Sequence, residues 1–518
     1  MVLFKVIPCL FIFGIASACT LENQQQFSKK GYYVSGDFHT HTNLSDGNMP
    51  ETTVVKNAFK KFNLYWMANS EHGGAFNRNV DGVFWEQMQP VPYFKGDKTS
   101  SGGHRNMWRW QSLTEFSFPM INELRDQYPH NKLIQGVEWN CPSHEHASVG
   151  FINIEPKAVG DFEYLFDQGD NDQSRNSEFG IYSKSNTTHA RAVEGIQWLQ
   201  NNYTNTSYIL LNHPSRKLKY TISDIRDFMN AGPDVFIGLE GMPGHQKESY
   251  RGGYSSSFAY DTYKARTYGG ADYMLAKIGG LWDALLSDGR RCWMFGNSDF
   301  HDTINDFYPG EYQKNWTFVE DSNADQVINN TELLAGFRSG NSYVVSGDLI
   351  SDLSFQIQSF GNGQKAVMGQ TLKIKPNDRV KITVAFKCDD IKKNRCRRNV
   401  DHIDLIGGTI HTPALPGTID YSIDTVSGVS IVKVFRNDFQ YDSRSGYFTG
   451  TYTFSPKNDC YFRLRGTNLM QNTPNQTDEQ GNPLNDDLEG VGANNADKAW
   501  NDLWFYSNPI FIDVVDAK

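Results

Sequence analysis

The stretch that decides the fold runs from Asp37 to Gly47 and reads Asp-Phe-His-Thr-His-Thr-Asn-Leu-Ser-Asp-Gly. The residues before it are aromatic or β-branched, which predicts a strand over residues 32–41. Because side chains two apart on a strand point the same way, His39 and His41 present two imidazoles to one side. Asp46 follows on a turn. This trio suits a divalent metal ion, with a pair of surface histidines as the alternative.

The chain is long and acidic. Its 518 residues exceed what one core normally organises, so two or more domains are expected. The formal net charge of −10 argues against a nucleic-acid surface, which is normally basic. We therefore expect a globular protein whose partner is a small-molecule substrate and not a nucleic acid. The oligomeric state does not follow from the sequence.

Residues 1–18 are predicted to be a signal peptide outside the fold. A lysine precedes an apolar run, which ends at the small-residue cleavage site Ala16-Ser17-Ala18. The segment also resembles a lipobox ending at Cys19, although Ala16 stands where that motif usually has leucine. Two outcomes are open: a periplasmic or cell-envelope lipoprotein anchored to the membrane through Cys19, or a secreted protein. Residues 19–31 are predicted to be a polar tether.

Residues 32–348 alternate between predicted strands and helices. Polar residues follow the strands, and the carboxyl ends of strands are where (β/α) barrels keep their chemistry. Two insertions, near 76–118 and 155–188, interrupt the alternation, and the first is rich in aromatic residues. The predicted strands are 32–41, 64–68, 132–139, 147–154, 208–211, 235–239 and 292–295, and the predicted helices are 50–62, 113–128, 189–203, 221–230 and 271–287.

Residues 349–518 have a different pattern. Short alternating segments are separated by Gly, Pro, Asn and Asp turns, which is typical of a β-sandwich. The predicted fold class is therefore α/β, with a (β/α) barrel followed by a C-terminal β-sandwich domain.

Histidine or acidic residues recur immediately after the predicted strands of the barrel region. A single occurrence has an ordinary structural explanation, but six in one chain indicate a shared metal site. Asp299 and His301 even repeat the spacing of His39 and His41. The six are His39/His41, His72, Glu138, His146, His213 and Asp299/His301.

The order of these motifs resembles the polymerase-and-histidinol-phosphatase (PHP) metallohydrolase superfamily. The matching motifs are His-x-His…Ser-Asp-Gly, Glu-His, Gly-Val-Glu, His, Asn-His-Pro and Ser-Asp-x-His, between residues 37 and 301. Residues 506–511 near the C-terminus resemble the small β-domain of a branch that includes carbaryl-hydrolase-like enzymes. The resemblance implies a distorted seven-stranded PHP-type (β/α) barrel that holds two or three divalent metal ions, which are zinc, manganese or iron.

The resemblance also implies which residues hold the metals. Asp46 departs from it, because many relatives have a histidine there, and Glu71 departs because many have aspartate. Both departures weaken the implied third site. His39, His41, Glu138 and Asp299 are implied for the first metal, Glu138, His146 and His213 for the second, and Asp46, His72 and His301 for the third.

Four further residues have alternative interpretations. His144 is an alternative ligand to His146, which we prefer because a predicted strand follows it directly. Glu240 is expected to contact and orient a metal ligand without binding the metal itself. His245 is either a general acid or an ordinary loop histidine. Arg216 is either a clamp for an anionic substrate or a solvated loop charge.

These expectations predict an exported metal-dependent hydrolase, phosphoesterase-like. A water held between two metals bridged by Glu138 is expected to supply the attacking hydroxide. The first alternative is cleavage of a carbamate, ester or amide by the same centre, which the aromatic insertion would suit. The second is a non-catalytic surface protein that binds a glycan or another partner.

Overall fold

The computed structural model describes residues 31–152, 156–254, 263–388, 400–486 and 496–515. The predicted signal peptide, Cys19 and nearly all of the tether lie outside these residues, so export and lipidation stay predictions. Within these ranges, no helix combines the length and the apolar character needed to cross a membrane.

Seven strands of the first half form one row of hydrogen-bonded neighbours, and their order in the row is their order in the chain. Most neighbours in the row are parallel, but the fourth strand runs antiparallel to the third and the fifth. The strands are β1 (Gly31–Asp37), β2 (Trp66–Asn69), β3 (Lys132–Asn140), β4 (His146–Phe151), β5 (Ser207–Leu211), β6 (Phe236–Met242) and β7 (Trp293–Gly296).

The two ends of this row approach each other. Thr40, just beyond β1, forms a parallel bridge with Phe300, just beyond β7. The His41 N–H donates a hydrogen bond of 2.9 Å to the Phe300 carbonyl. The molecule is thus a mixed α/β protein with a large sheet, as predicted, while the closed PHP-type barrel stays a prediction.

Helices connect these strands, and capping residues define where some of them begin. Thr188 caps α5 by accepting a hydrogen bond from the Arg191 N–H, and Thr221 and Asp224 form a capping box on α6. The helices are α1 (Glu51–Lys56), α2 (Arg109–Ser112), α3 (Phe118–Gln127), α4 (Lys157–Phe166), α5 (His189–Tyr203), α6 (Ile222–Ala231), α7 (Tyr273–Ala276) and α8 (Leu281–Ser287), with π-helical turns at Asn57–Lys61 and Leu113–Ser117.

Two helix predictions were wrong. The helix predicted over 271–287 is two helices, because Gly279 adopts a left-handed φ of 70° that continues neither of them. The insertion near 155–188 contains a helix that was not predicted, α4, and almost all of its residues are buried.

The second half of the chain is rich in strands, as predicted. Its strands form a separate five-stranded sheet and an extension of the large sheet. The elements that follow β7 are β8 (Gln313–Glu320), α9 (Asn330–Ser339), β9 (Ser342–Ser346), β10 (Asp352–Ser359), β11 (Lys365–Val367), β12 (Thr371–Ile374), β13 (Val380–Lys387), β14 (His402–Thr409), β15 (Ser430–Phe435), β16 (Gln440–Asp442), β17 (Tyr447–Phe454), β18 (Cys460–Thr467), α10 (Ala496–Ala499), β19 (Trp504–Ser507) and β20 (Ile510–Val514).

The large sheet crosses the predicted boundary at residues 348 and 349. β8 pairs with β1, β9 pairs with β8, and β19 from the far end of the chain pairs with β9. Leu353 and Ile382 of the five-stranded sheet share one apolar cluster with Leu405 and Leu464 of the large sheet. The two sheets therefore enclose a common core, while the domain boundary and the β-sandwich class stay predictions.

Buried ion pairs also join the two halves. The Arg463 guanidinium binds both carboxylate oxygens of Asp283 at 2.9 Å, and neither side chain is exposed. Arg251 binds Asp502 at 2.6 Å and is equally buried. Because each pair is formed by residues from opposite halves, their contacts hold the C-terminal strands against the first half.

Candidate metal centre

The predicted site residues meet at one edge of the seven-stranded row. His39 and His41 follow β1, His213 follows β5, and Asp299 and His301 follow β7. The parallel strands bring their carboxyl ends to the same edge. His146 reaches that edge from the beginning of β4, because β4 runs antiparallel to β3 and pairs His146 with Asn140.

Glu138 near the end of β3 is the hub of the site. Its side chain is 1% exposed and is surrounded by five imidazoles. Burial acts to raise the pKa of Glu138, but the neighbouring histidines lower it well below its usual range. The Oε1 atom lies 3.0 Å from His39 Nε2, 3.1 Å from His146 Nδ1 and 3.3 Å from His213 Nε2, and the Oε2 atom lies 3.2 Å from His41 Nε2 and 2.9 Å from His72 Nδ1.

The two oxygens of Asp299 face different partners. Oδ1 lies 3.1 Å from His39 Nε2 and 3.3 Å from His41 Nε2. Oδ2 lies 2.9 Å from Arg216 Nη2 and 3.1 Å from His245 Nε2. Arg216 is only 9% exposed, so the interpretation as a solvated loop charge is wrong. Its pairing with Asp299 leaves Oδ1 turned toward the paired imidazoles.

His245 lies between two carboxylates. Its Nδ1 atom is 2.6 Å from Asp306 Oδ1, and its Nε2 atom faces Asp299. Burial acts to lower the pKa of His245, but these two carboxylates raise it well above its usual value. Asp306 was missed by the sequence analysis because it lies in a loop with no preceding strand, and its position shows only in three dimensions.

Asp46, His72 and His301 form a more exposed group beside the paired imidazoles. Asp46 Oδ2 lies 3.3 Å from His72 Nε2, and Asp46 Oδ1 lies 3.4 Å from His301 Nε2. His41 Nδ1 is 3.7 Å from the same carboxylate. The structure therefore brings together all three residues implied for a third metal, although that metal itself stays a prediction.

Glu71 does not join that group. Its Oε1 atom accepts a hydrogen bond of 2.6 Å from the Thr42 hydroxyl, and Oε2 accepts one from the Ser45 hydroxyl. Glu71 therefore holds the turn that carries Asp46, from a buried position behind it.

The structure places His146 at the centre and His144 outside it. His146 Nδ1 lies 3.1 Å from Glu138, whereas His144 Nε2 faces His189. Two residues that the sequence analysis missed also lie here. Glu145 Oε1 lies 3.8 Å from both His146 Nδ1 and His213 Nδ1, and Asn212 donates a hydrogen bond of 2.9 Å to Glu138. Glu145 directly precedes His146 and Asn212 directly precedes His213. This adjacency to predicted ligands was the signal that could have identified them from the sequence.

Several donor atoms of the site have no hydrogen-bond partner among the described residues, although they are buried. They are His213 Nδ1 and the pair Glu138 Oε2 and His72 Nδ1, which lie 2.9 Å from each other without hydrogen-bonding geometry. A buried polar atom left unpaired costs roughly 1–3 kcal/mol, so such atoms normally have an unseen partner. Nitrogen and carboxylate oxygen atoms that converge in this way fit divalent cations. The groups able to hold an ion are His39/His41/Glu138/Asp299, His41/Asp46/His72/His301, His72/Glu138/His146 and Glu145/His146/His213.

Three residues of the site have backbone conformations that side chains normally avoid. The φ angles are 29° at His213, 51° at His245 and 44° at Asp299. Positive φ at a non-glycine residue costs on the order of 1–3 kcal/mol and persists where the surroundings hold it, often at functional sites. The loops after β5, β6 and β7 therefore hold these side chains in place at the expense of backbone strain.

Arg109 of the first insertion supports the loops that carry the ligands. It is 1% exposed, and it donates hydrogen bonds of 2.6 Å to the His72 carbonyl and 2.8 Å to the Leu44 carbonyl. One side chain thus ties the loop after β1 to the loop after β2.

Glu240 supports His39 from behind, in the position that the sequence analysis expected. Its Oε2 atom lies 2.9 Å from His39 Nδ1 and accepts a hydrogen bond of 2.8 Å from Asn297. A carboxylate can only accept there, so His39 Nδ1 carries the hydrogen and Nε2 offers its lone pair to the centre.

Replacing Glu240 with glutamine is expected to weaken metal binding by about 10- to 100-fold, the usual cost of losing such a support. The neutral amide holds the His39 ring less firmly in the metal-binding tautomer. Competition with a chelator measures the affinity. Glu332→Gln, a buried carboxylate that caps α9 far along the chain, is the matched control. Equal affinities in the two variants would contradict the role given to Glu240.

Comparisons with known proteins leave the family open. No protein-family model matches the chain, and no curated protein matches it either. One solved structure that it resembles is a two-domain protein from Bacteroides vulgatus containing a predicted PHP-like metal-dependent phosphoesterase. The TM-score is 0.35 and the identity 12%, over 89% of this chain and 99% of that one. A similarity this weak establishes neither the family nor the reaction.

Proposed function

We propose that the protein is an exported metal-dependent hydrolase of the PHP superfamily, acting on a phosphate ester. The observation that carries the proposal is that one buried carboxylate, Glu138, lies within 3.3 Å of nitrogen atoms of five imidazoles, with Asp299 beside two of them. A purely structural core rarely buries one carboxylate among five imidazoles, because such groups are costly to remove from water.

The proposal is supported by the proximity of the side chains around Glu138 and Asp46, which include the residues that the resemblance implies as ligands. Divalent ions bound there would lower the pKa of water toward neutrality and stabilise negative charge developing on the substrate. Nitrogen and oxygen donors in this mixture do not choose among zinc, manganese and iron. Elemental analysis of the purified protein would identify the ions.

The residues of the chain divide into a buried floor and an exposed rim. His39, His41, Glu138, His213 and Asp299 are at most 2% exposed at their side chains. The side chains of the rim residues are more exposed. The exposed fraction is 16% for His72, 18% for His301, 22% for His146 and 46% for Asp46. Substrate approaches over this rim, because it is the side of the centre that water reaches.

His245 is the candidate for protonating the leaving group. Its side chain is 16% exposed, and Asp306 binds Nδ1 so that Nε2 points toward Asp299 at the centre. The Asp306 carboxylate at 2.6 Å favours the protonated imidazole that a general acid requires.

Cleavage of a carbamate, ester or amide by the same residues is the alternative. The observation that favours it concerns two guanidinium groups that contact residues of the centre, those of Arg216 and Arg109. Arg216 is bound to Asp299, and Arg109 is bound to backbone carbonyls. Neither is free to clamp a phosphate, and arginine is the residue most often used for that purpose.

A substrate panel with the metal content measured first separates these proposals. Purified protein is analysed for bound metals and then assayed with para-nitrophenyl phosphate, a phosphodiester and a naphthyl carbamate, each with added Mn²⁺ or Zn²⁺. We expect bound divalent metal and turnover of a phosphate ester. Turnover of the carbamate alone would replace the first proposal with the second. Metal-free protein that turns over none of them would favour a non-catalytic binding protein.

A further inference from the structure

A second group of metal-binding side chains lies apart from the centre around Glu138. It consists of His144, His189 and Asp224. His144 is in the turn before β4, His189 is the first residue of α5, and Asp224 is in the first turn of α6. We call the site around Glu138 and Asp299 the main centre. None of its possible metal-binding groups described above contains His144, His189 or Asp224, and the hydrolase proposal makes no use of these three residues.

The hydrogen-bond partners decide which ring nitrogens carry hydrogen. His144 Nδ1 lies 2.9 Å from the Lys219 carbonyl, which can only accept. His189 Nε2 lies 3.2 Å from Asp227 Oδ2, and a carboxylate also accepts. In neutral rings the hydrogens are therefore on these two atoms, and His144 Nε2 and His189 Nδ1 are bare.

The two bare nitrogens face each other at 2.9 Å. Two lone pairs at that distance repel, and a cation between them turns the repulsion into coordination. The outer hydrogen bonds, to a carbonyl and to a carboxylate, are the supports that histidine ligands of metals usually have.

Asp224 supplies an oxygen on the same side. Its Oδ1 atom lies 3.4 Å from His189 Nδ1. Its Oδ2 atom accepts hydrogen bonds of 2.8 Å and 2.7 Å from the N–H and hydroxyl of Thr221, which fixes the carboxylate. Ligand atoms around a tetrahedral zinc, with bonds of about 2.0–2.2 Å, lie roughly 3.3 Å apart, which these distances approach.

The surrounding aromatic rings hold the two imidazoles in place. Tyr220 stacks on His144 with a centroid distance of 5.2 Å, and Phe228 stacks on His189 at 5.3 Å. Tyr421, from the second half of the chain, donates a hydrogen bond of 2.8 Å to Asp227 Oδ1. The ligands are therefore arranged before any ion binds, and the exposed third of the His189 side chain leaves room for a water as a fourth ligand.

We propose that His144, His189 and Asp224 bind a divalent transition-metal ion of the zinc class, separately from the main centre. Two imidazoles and a carboxylate suit zinc, with an open fourth position for water. The ion ties the turn before β4 to the beginnings of α5 and α6. Because this turn leads into His146, the ion also steadies the part of the main centre that His146 occupies.

Zinc protection of His189 against carbethoxylation tests the site in the unaltered full-length chain. The protein is treated with limiting diethyl pyrocarbonate with and without Zn²⁺, and each histidine is quantified by peptide mass spectrometry. Zinc at ten times its dissociation constant is expected to slow labelling of His189 by about tenfold, in proportion to the unbound fraction. His104, equally exposed and paired with Glu86 elsewhere, is the internal control and should be unaffected. Equal labelling of His189 with and without zinc would overturn the proposal.

Two variants separate this site from the main centre. In Glu138→Gln, zinc should still protect His189, and loss of the protection would show that it came from the main centre, against the proposal. By elemental analysis, His189→Gln should hold one zinc fewer than the natural protein, and His104→Gln the same number. A His189→Gln variant with an undiminished zinc content would overturn the site even if the hydrolase proposal stands.

Discussion

Replacing Glu138 with glutamine is expected to remove most of the bound metal from the main centre and to lower turnover by about 10³-fold or more. Metal ions contribute several kcal/mol of transition-state stabilisation, and about 4 kcal/mol corresponds to that factor. Glutamine keeps the shape of the side chain but has no charge, and one of its oxygen positions becomes an N–H donor. The five surrounding imidazoles thus lose the anion that they share.

The measurement combines elemental analysis with kcat/KM on whichever panel substrate the natural protein hydrolyses. Glu123→Gln makes the same chemical change on the exposed face of α3 and should alter neither quantity. Retention of the metal together with turnover within about tenfold of the natural protein would mean that Glu138 is not a metal ligand, since a ligand loss costs far more.

Replacing Asp283 with alanine is expected to cost about 3–5 kcal/mol of stability, because it leaves Arg463 buried without its counter-charge. Asp283 Oδ1 accepts hydrogen bonds of 2.9 Å from both Arg463 and the Tyr461 hydroxyl. Oδ2 accepts one from Arg463 at 2.9 Å and one from the Gly279 N–H at 2.8 Å. The substitution therefore removes four hydrogen bonds at the junction between the two halves.

Urea unfolding followed by circular dichroism measures this loss as a lower midpoint. Asp438→Ala breaks the exposed pair with Lys433 and should cost no more than about 1 kcal/mol. The double variant Asp283→Leu, Arg463→Met removes both charges and should recover much of the stability, because no uncompensated charge remains. The same midpoint for Asp283→Ala and Asp438→Ala would show that the buried pair contributes nothing specific.

The residues that meet at the candidate metal centre could be predicted from the sequence because their signal is local. A hydrophobic strand followed at once by a histidine or an acid places that side chain at a strand end, as for His213 after β5 and Asp299 after β7. Parallel neighbours bring such ends to one edge, so a list of strand ends already approximates a list of site residues. The strand predicted over residues 32–41 ends at Asp37, so the pairing of His39 with His41, whose Nε2 atoms lie 3.0 Å apart, forms in the loop after β1 and not by alternation along a strand.

Other features depend on contacts that the local pattern does not contain. Asp306 reaches His245 from a loop, and the pairing of β3 with β4 is what brings His146 to Glu138. The antiparallel direction of β4 was missed for the same reason. To predict each of these features, one must know which residues from distant parts of the chain contact each other.

The order of residues alone indicates which types of side chain meet at the site, namely imidazoles and carboxylates at strand ends. It also indicates the mixed α/β character of the chain. Tertiary structure decides which atoms meet, how the oxygens of Asp299 are divided between His39 and Arg216, and that one sheet continues into the second half. The physical reason is the difference in sequence separation between the residues that determine each feature. Alternation along a strand is determined within a few residues, whereas the pairing of Tyr343 with Ser507 is stable only once the surrounding core has packed.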